Sequence, residues 1–417
     1  MNFGREDEGI GTPIIKVKDF GDLHHVPIEG LDQLDRNRVR VPSNQFLKRN
    51  DILLVRSNGN PALVGRSMIF SGPDDAITFS GFSIRARVDS SKAAPAFIHY
   101  WLRSDFARSR FAREGNGTGI QNLSQGFLAD LDILLPPLGE QRAIAATLGA
   151  LDDKIEANRK MNATLEAMAR ALFRDWFVDF GPTRAKMEGH APYLSPDLWS
   201  LFPDRLDDND KPDGWEASTI GDEVRVVGGS TPSTKETDLW DGGINWATPK
   251  DLSALATPVL LETSRTISAA GLAKISSGQL PVGSLLLSSR APIGYLAIAQ
   301  VPVAINQGFI GMICDKRISN VFAWLWTQEN MEAILAKANG STFQEISKGN
   351  FRPLPMVVPS EPVLRAFAAV AQPFYDRIAK NECQSRTLTQ TRDLLLPRLM
   401  SGELRVAEVE SRIGAVS

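Results

Sequence analysis

Arg36, Arg38 and Arg40 alternate with Asn37 and Val39. On a strand, where neighbouring side chains point to opposite faces, that spacing places three guanidinium groups on one face. Such a row can hydrogen-bond phosphate oxygens or guanine edges; it is equally what a solvated strand face contains. Lys48, Arg49, Arg56 and Arg66 follow nearby, and Arg290 is a further basic candidate. Thr231-Pro232-Ser233-Thr234-Lys235 and Thr248-Pro249-Lys250-Asp251 combine hydroxyls with lysines. Hydroxyls, backbone amides and lysine suit phosphate contacts, although polar turns read the same way.

Bond-making chemistry is harder to find. The chain has no Gly-x-x-x-x-Gly-Lys-Ser/Thr phosphate loop and no Gly-x-Ser-x-Gly elbow. None of His24, His25, His99 and His190 has the i, i+4 spacing of a helical zinc site, so each reads as a core or surface histidine. There is no Asp/Asn/Ser-Pro-Pro-Tyr/Phe motif of the amino-methyltransferase kind; Pro136-Pro137 runs into Leu138 and reads as the start of a helix. Asp152 and Lys154 fall on what reads as a solvated charged helix face. No catalytic residue, metal ligand or cofactor is therefore expected on this chain. The two cysteines, Cys314 and Cys383, lie far apart and read as reduced thiols of a cytoplasmic protein. The polar, acidic N-terminus does not read as a secretory signal. The best apolar stretch, residues 291–305, is broken by Pro292, Gly294, Gln300 and Pro302, so no membrane span is expected. A net charge of −3 does not advertise a nucleic-acid binder. Much of the acid sits between Asp204 and Glu223, a run that reads as a solvated loop.

The elements that must position these residues come in duplicate. Gly117-Thr118-Gly119-Ile120-Gln121-Asn122-Leu123-Ser124 returns as Gly340-Ser341-Thr342-Phe343-Gln344-Glu345-Ile346-Ser347, an offset of 223 residues. The same offset pairs Trp101 with Trp324, Gly126 with Gly349, Arg142 with Arg365, Asn158 with Asn381 and Leu172 with Leu395. A repeat of this length is a whole domain plus a helix, not a solenoid unit. Residues 1–138 mix β-rich runs (51–55, 84–88) with turns, and a helix is predicted over 95–113. Residues 139–185 form a long helical region, 186–360 repeat the first pattern, 361–405 repeat the helix, and 406–417 are a tail.

Each helix carries a heptad seam. The first runs Ile144, Leu148, Leu151, Ile155, Asn158, Asn162, Leu165, Ala169, Leu172 and Trp176. The second runs Phe367, Ala371, Phe374, Ile378, Asn381, Ser385, Leu388, Arg392, Leu395 and Leu399. Polar residues occupy the two central positions of both, where they fix register at a cost in stability. The two seams are expected to pair antiparallel, as a rod about 50 Å long at 1.5 Å per residue. The other reading is an ordinary amphipathic helix packed on its own domain. Pro373 is expected to kink or break the second helix. The expected fold class is thus α+β: two globular domains joined by two long antiparallel coiled-coil helices, with an internal pseudo-two-fold repeat.

Several longer motifs add to this. They are Pro136-Pro137-Leu138-Gly139-Glu140-Gln141-Arg142-Ala143-Ile144-Ala145, Phe173-Arg174-Asp175-Trp176-Phe177-Val178-Asp179-Phe180-Gly181-Pro182 and Thr391-Arg392-Asp393-Leu394-Leu395-Leu396-Pro397-Arg398-Leu399-Met400-Ser401-Gly402-Glu403-Leu404. Pro212-Asp213-Gly214-Trp215-Glu216, Gly228-Gly229-Ser230-Thr231-Pro232-Ser233 and Trp240-Asp241-Gly242-Gly243-Ile244 precede Thr248-Pro249-Lys250-Asp251-Leu252. In this order they resemble the specificity (S) subunit of a type I restriction–modification system, a defence against foreign DNA. The resemblance implies two target-recognition domains, each reading half of a bipartite, asymmetric site on double-stranded DNA. It also implies helices that set the gap and dock two methyltransferase (M) subunits, with restriction (R) subunits joining them. S-adenosylmethionine and ATP are then expected on those partners. The alternatives are a coiled-coil adaptor without DNA contact and a methyltransferase of unrecognised type. One departure stands out. Lys18-Asp19 matches Lys250-Asp251, and Leu54 matches Leu286 in the same register, which leaves the segment from about Pro212 to Pro232 without a counterpart in the first domain.

Overall fold

A computed structural model describes residues 7–21, 24–114, 121–290, 292–340 and 344–406. Residues 117–120 and 341–343 of the repeated motif, and most of the expected tail, lie outside the described residues. The chain divides into two compact units: Met1–Ala157 with Ser385–Ser417, and Asn158–Gln384. Each unit holds one globular part and half of each long helix. Among the described residues no helix is long and apolar enough to cross a membrane.

In the first unit the strands are β1 (Gly11–Ile15), β2 (Asp32–Asp35), β3 (Ile52–Val55), β4 (Ser57–Asn58), β5 (Ser67–Ile69), β6 (Thr78–Phe79), β7 (Ser83–Ala86) and β8 (Gln121–Asn122). They form small sheets ordered β2-β1-β6, β5-β3-β7 and β4-β8. All four residues of β3 are fully buried. Because strand side chains alternate, Ile52 and Leu54 join a core with Phe97, Tyr100 and Trp101, while Leu53 and Val55 join Ile15, Phe20 and Phe70 on the other face. A continuous apolar run is what a strand covered on both faces requires. The helix predicted over 95–113 is two: α1 (Pro95–Arg103) and a second from Asp105. Ser104 is extended and its hydroxyl donates to the Trp101 carbonyl, so the chain stops and restarts there.

The second unit contains β9 (Glu216–Thr219), β10 (Arg225–Gly228), β11 (Trp240–Ala247), β12 (Val259–Leu260), β13 (Arg265–Ile267), β14 (Leu285–Ser288), β15 (Leu296–Ala299), β16 (Ala304–Ile305), β17 (Phe309–Ile313) and β18 (Pro355–Val358). The sheets run β10-β17-β14-β15-β12, β13-β11-β16 and β18-β9. The plan is that of the first unit. β3 pairs antiparallel with β7 from Ile52 opposite Ala86, and β14 with β17 from Leu285 opposite Met312. These ladders match Ile52 with Leu285, so Leu53, not Leu54, stands where Leu286 does. The one-residue slip follows from the cores: Leu53 and Leu286 both face away from the aromatic cluster of their unit.

The long helices are α2 (Leu138–Phe177) and, after Val358, α3 (Glu361–Ser401). Their contacts run antiparallel within each unit. In the second unit Asn158 meets Gln384 at 3.0 Å, Asn162 meets Asn381 at 2.8 Å, and the Phe177 ring lies 4.9 Å from that of Phe367. In the first unit Ile144 and Leu148 share a core with Leu396 and Leu399, and Asp152 pairs with Arg392 at 2.6 Å. The stripe also packs on its own globular part, since Trp176 and Phe367 share a core with Trp215 and Phe322. Pro373 does not break α3, which is helical throughout. A helix-interior proline costs about 3 kcal/mol, and burial of Phe367, Ala371, Tyr375 and Ile378 along the same helix outweighs it.

Two charged groups differ from expectation. Asp152 is not on a solvated face: it is buried, accepting from the Tyr100 hydroxyl at 2.8 Å and from Arg392. Glu223, in the acidic run, is also buried, held by the Arg317 guanidinium at 2.6 and 3.0 Å and by Ser218. In both cases the partner is distant in sequence; for Glu223, burial pushes the carboxyl up, but the hydrogen bonds from Arg317 and Ser218 outweigh it and hold it below its ordinary range.

Candidate nucleic-acid interface

In the second unit a set of turns meets where β11 ends and β17 begins. The Asn306 amide donates to the Ala247 carbonyl at 3.1 Å, and the Ser230 amide to Ile305 at 3.1 Å. Ser289 donates to Gly308 at 2.8 Å, and Ile346 to Ser289 at 3.0 Å. Gly229 passes so close that a Cβ there would lie 1.8 Å from the Ile305 oxygen, which only glycine allows. The Trp246 indole N–H holds the Ser230 carbonyl at 3.2 Å. Thr248 opens a short helix with a capping box: Asp251 accepts from the Thr248 amide and hydroxyl, and from the Ser264 amide. Burial pushes the Asp251 carboxyl up, but these hydrogen bonds outweigh it and hold it below its ordinary range.

This backbone frame presents Thr231, Lys250, Gln307 and Lys348 exposed and Arg290 half-exposed. The Thr231 hydroxyl donates to Gln307, Arg290 lies 3.7 Å from Glu345, and Lys348 lies beside Gly228. Ser233 and Lys235 are exposed further along the same loop, whose Ser233 carbonyl is held by Trp240 at the far end of β11. Hydroxyl, amide, lysine and guanidinium groups on a rigid backbone can donate to phosphates and to base edges.

The first unit builds the same frame. The Lys16 amide donates to Asp19 at 2.7 Å, as Thr248 does to Asp251. Ser80 donates to Ile15, Arg56 to Phe82 at 2.7 Å, and Leu123 to Arg56 at 2.8 Å. Ser57 opposes Asn122 where Arg290 opposes Glu345. The side chains differ: Arg56 replaces Ser289, Phe82 replaces Gly308, and Asn122 replaces Glu345. Phe82 is 53% exposed, and Arg56 Nε donates to Asn122 at 3.3 Å.

Of the sequence candidates, the frames hold Arg56, Thr231, Lys250 and Arg290. Arg36, Arg38 and Arg40 do not form a strand face. β2 ends at Asp35, whose side chain accepts from the Asn37 amide at 2.8 Å and whose carbonyl accepts from Arg38 and Val39. That Asx turn competes with the extended ladder. It lies opposite Gly11, at the far end of β1 from Lys16. Lys48 likewise precedes β3, at the end opposite Arg56, with its amide on Asp51. Sequence reasoning missed Phe82, Asn122, Gln307 and Lys348 as frame residues. Lys18 was legible, because Lys18-Asp19 repeats Lys250-Asp251; it is exposed and pairs with Asp32 at 2.7 Å.

The first unit also contains a buried polar chain. His99 meets His24 at 3.0 Å, Tyr100 lies between His24 and Asp152, and Arg392 closes it. Burial pushes the His24 imidazole down to about 3 despite Asp152, and burial also holds His99 well below its ordinary value. Both rings are neutral near pH 7. Among the described residues no group of three or more His, Cys, Asp or Glu is placed to hold a metal ion.

The family model for the type I restriction modification DNA specificity domain matches residues 25–167 and 212–382. The specificity subunit of the type I restriction enzyme HindI from Haemophilus influenzae is 25% identical over 411 residues, covering 87% of this chain and 88% of its own. The MjaIX specificity subunit from Methanocaldococcus jannaschii is 25% identical over 410 residues, covering 97% and 89%. Among solved structures, the type I restriction-modification S subunit from M. genitalium aligns with a TM-score of 0.54 at 16% identity, over 94% of this chain and 93% of that one. That likeness is one of fold.

Proposed function

Since this chain belongs to the type I restriction–modification DNA specificity family, we propose that each of its two units reads one half of a bipartite DNA site. The chain is the sequence-recognition subunit of its complex, with DNA and the methyltransferase and restriction subunits as partners. The observation that carries the two-half reading is the pair of frames, alike in backbone hydrogen bonds and unlike in side chains. Arg56, Phe82 and Asn122 in one, and Ser289, Gly308 and Glu345 in the other, imply two different half-sites. Each good bidentate base contact would discriminate by about 1–3 kcal/mol.

The recognition domains are assigned to 1–138 and 186–360, and the helical regions to 139–185 and 361–405. The paired helices then act as an antiparallel coiled-coil spacer whose two like halves dock two methyltransferase subunits. S-adenosylmethionine and ATP would bind on partners, and a cytoplasmic location goes with this role. The test is co-expression with the cognate methyltransferase subunit in a host lacking adenine methylation, followed by genome-wide mapping of methyladenine. A gapped motif with unlike halves is the expected outcome. A palindromic motif would remove the two-half reading. Absence of any motif, together with no shift of duplex DNA by the assembled complex, would leave an adaptor without DNA contact.

A further inference from the structure

Building on the DNA reading above, on which it rests, we propose that Arg66, Arg103 and Arg108 of the first unit form a pocket for a backbone phosphate of the duplex, a grip that the second unit does not build. The pocket has a volume of about 190 Å³, and Gly21 and Gly65 complete its walls. It lies one ladder step from the first frame. The Val55 amide, beside Arg56, donates to the Arg66 carbonyl at 2.9 Å, and the Gly65 amide donates to the Val55 carbonyl at 2.8 Å. Arg103 ends α1, and Arg108 belongs to the helix Asp105–Glu114 that follows. All three arginines are half-buried. The Arg108 guanidinium is fixed, donating to the Val64 and Ala62 carbonyls at 2.7 Å each. A guanidinium has five N–H donors in a planar fork, so one that already holds a protein partner can still present donors to a phosphate. Burial, and then the neighbouring Arg66 and Arg103 charges, hold Arg108 below its ordinary range. An anion seated among the three relieves that repulsion, and a phosphate fits the fork.

The second unit fills the same place with apolar side chains. There the Ser288 amide donates to the Tyr295 carbonyl at 2.8 Å and the Gly294 amide to the Ser288 carbonyl at 3.2 Å, so Tyr295 stands where Arg66 does. The repeat offset of 223 residues puts Trp326 at Arg103 and Met331 at Arg108. Trp326 is buried, and Met331 packs against the same core, its sulfur 3.4 Å from where a Cβ on Gly294 would lie. Tyr295 packs against the core that holds Leu286. Core packing accounts for these three residues. It does not account for three guanidinium groups, whose desolvation opposes folding. The contrast continues along the helix, where Arg110 and Arg113 occupy the positions of Ala333 and Ala336. Residues 103–113 thus hold four arginines, and 326–336 hold none. A row of cations beside a pocket suits the phosphates of a duplex better than a single free anion. Such contacts position the duplex and carry no sequence information.

The test uses the complex assembled with its methyltransferase subunit and a labelled duplex carrying the mapped motif, titrated over a salt series. Arg66→Gln and Arg103→Gln should each weaken binding at least threefold at fixed salt. Each should also lower the slope of log affinity against log salt by about one, with the methylated motif unchanged. Arg103→Lys, which keeps the charge and loses the fork, should weaken binding less, and it carries the test if a glutamine variant shifts the urea midpoint. Unchanged affinity and slope on a duplex that the wild type binds would overturn the pocket and leave the DNA reading standing, whereas a wild type that binds no duplex would overturn both. A changed motif would make these arginines base contacts and overturn the proposal. Inorganic phosphate added to the full chain at constant ionic strength separates the two sources of the anion. A rise in melting temperature that Arg103→Gln abolishes, beside an unchanged DNA slope, would make a free anion the occupant and overturn the proposal. Asp22, next to Gly21 in the sequence, supplies a control. Asp22→Asn should leave affinity as it is or raise it; a loss equal to that of Arg103→Gln would make the arginines structural partners only and overturn the proposal.

Discussion

Lys250 and Arg56 stand on the two frames without a buried role, so their removal should touch binding and not folding. Lys250→Ala and Arg56→Ala should each weaken DNA binding by the assembled complex. If the contact is to phosphate, the slope of log affinity against log salt should fall by about one. Arg36→Ala, at the far end of β1, should leave affinity within twofold; fluorescence anisotropy over a salt series separates the three. The arginine row was legible in the sequence as charge but not as geometry, because the Asp35 side chain that turns the chain is a local competitor no alternation pattern reveals. The buried histidines give a second expectation. A ring held neutral with its pKa near 3, against 6.5 in the unfolded chain, favours the folded state in full only above pH 6.5. Below that the unfolded state takes up protons first, so the His24 contribution falls as pH drops toward 3, by up to about 1.4 kcal/mol per pH unit, and His99, also held low by burial, acts in the same direction. Urea midpoints should therefore fall between pH 7 and pH 5, and His24→Asn should flatten the slope.

At the scale of elements, the helix seam was the most legible feature, since a step of four and three residues repeats over each helix whatever its tertiary partner. What the seam pattern cannot reveal is that one stripe serves two partners, the opposing helix and the core of its own unit. Nor does it reveal that a proline can be tolerated where burial on either side suffices. The polar centre invites a direct test. Asn381→Ala leaves the buried Asn162 oxygen without its 2.8 Å partner and should cost about 1–3 kcal/mol. Joint Asn162→Leu and Asn381→Leu should recover that loss or exceed it, at the expense of register; chemical denaturation and crosslinking across the seam read the two effects. A second test concerns the loop after β10. Gly229→Ala meets the Ile305 oxygen at 1.8 Å and must displace that loop. The fold of the first unit should be untouched, while recognition of one half-site is lost; methylation mapping would show a degenerate half beside an intact one.

For the whole molecule, duplication was plain in the sequence because the helices kept their likeness. The likeness of the globular parts was legible from Trp101 to Gly126; before that it resides in backbone pairing, and only Lys18-Asp19 and Leu54 hint at it. The ladders recover it, and correct the register by one residue. The two-half reading makes a prediction at this scale. Exchanging residues 186–360 for the matching part of a relative should change one half of the methylated motif and leave the other half as it was. Change in both halves would mean that the units do not read independently. The frames have one more consequence. Their defining bonds, from Arg56 to Phe82 and from Ser289 to Gly308, run from main chain to main chain. The side chains at these positions contribute no atom to the bonds, which is how Arg56 and Phe82 in one unit and Ser289 and Gly308 in the other share one main-chain frame. Under the two-half reading, exchange of an exposed side chain such as Arg56 or Phe82 would alter the half-site read while the main-chain frame stays in place, so new specificities would lie within reach of point mutation.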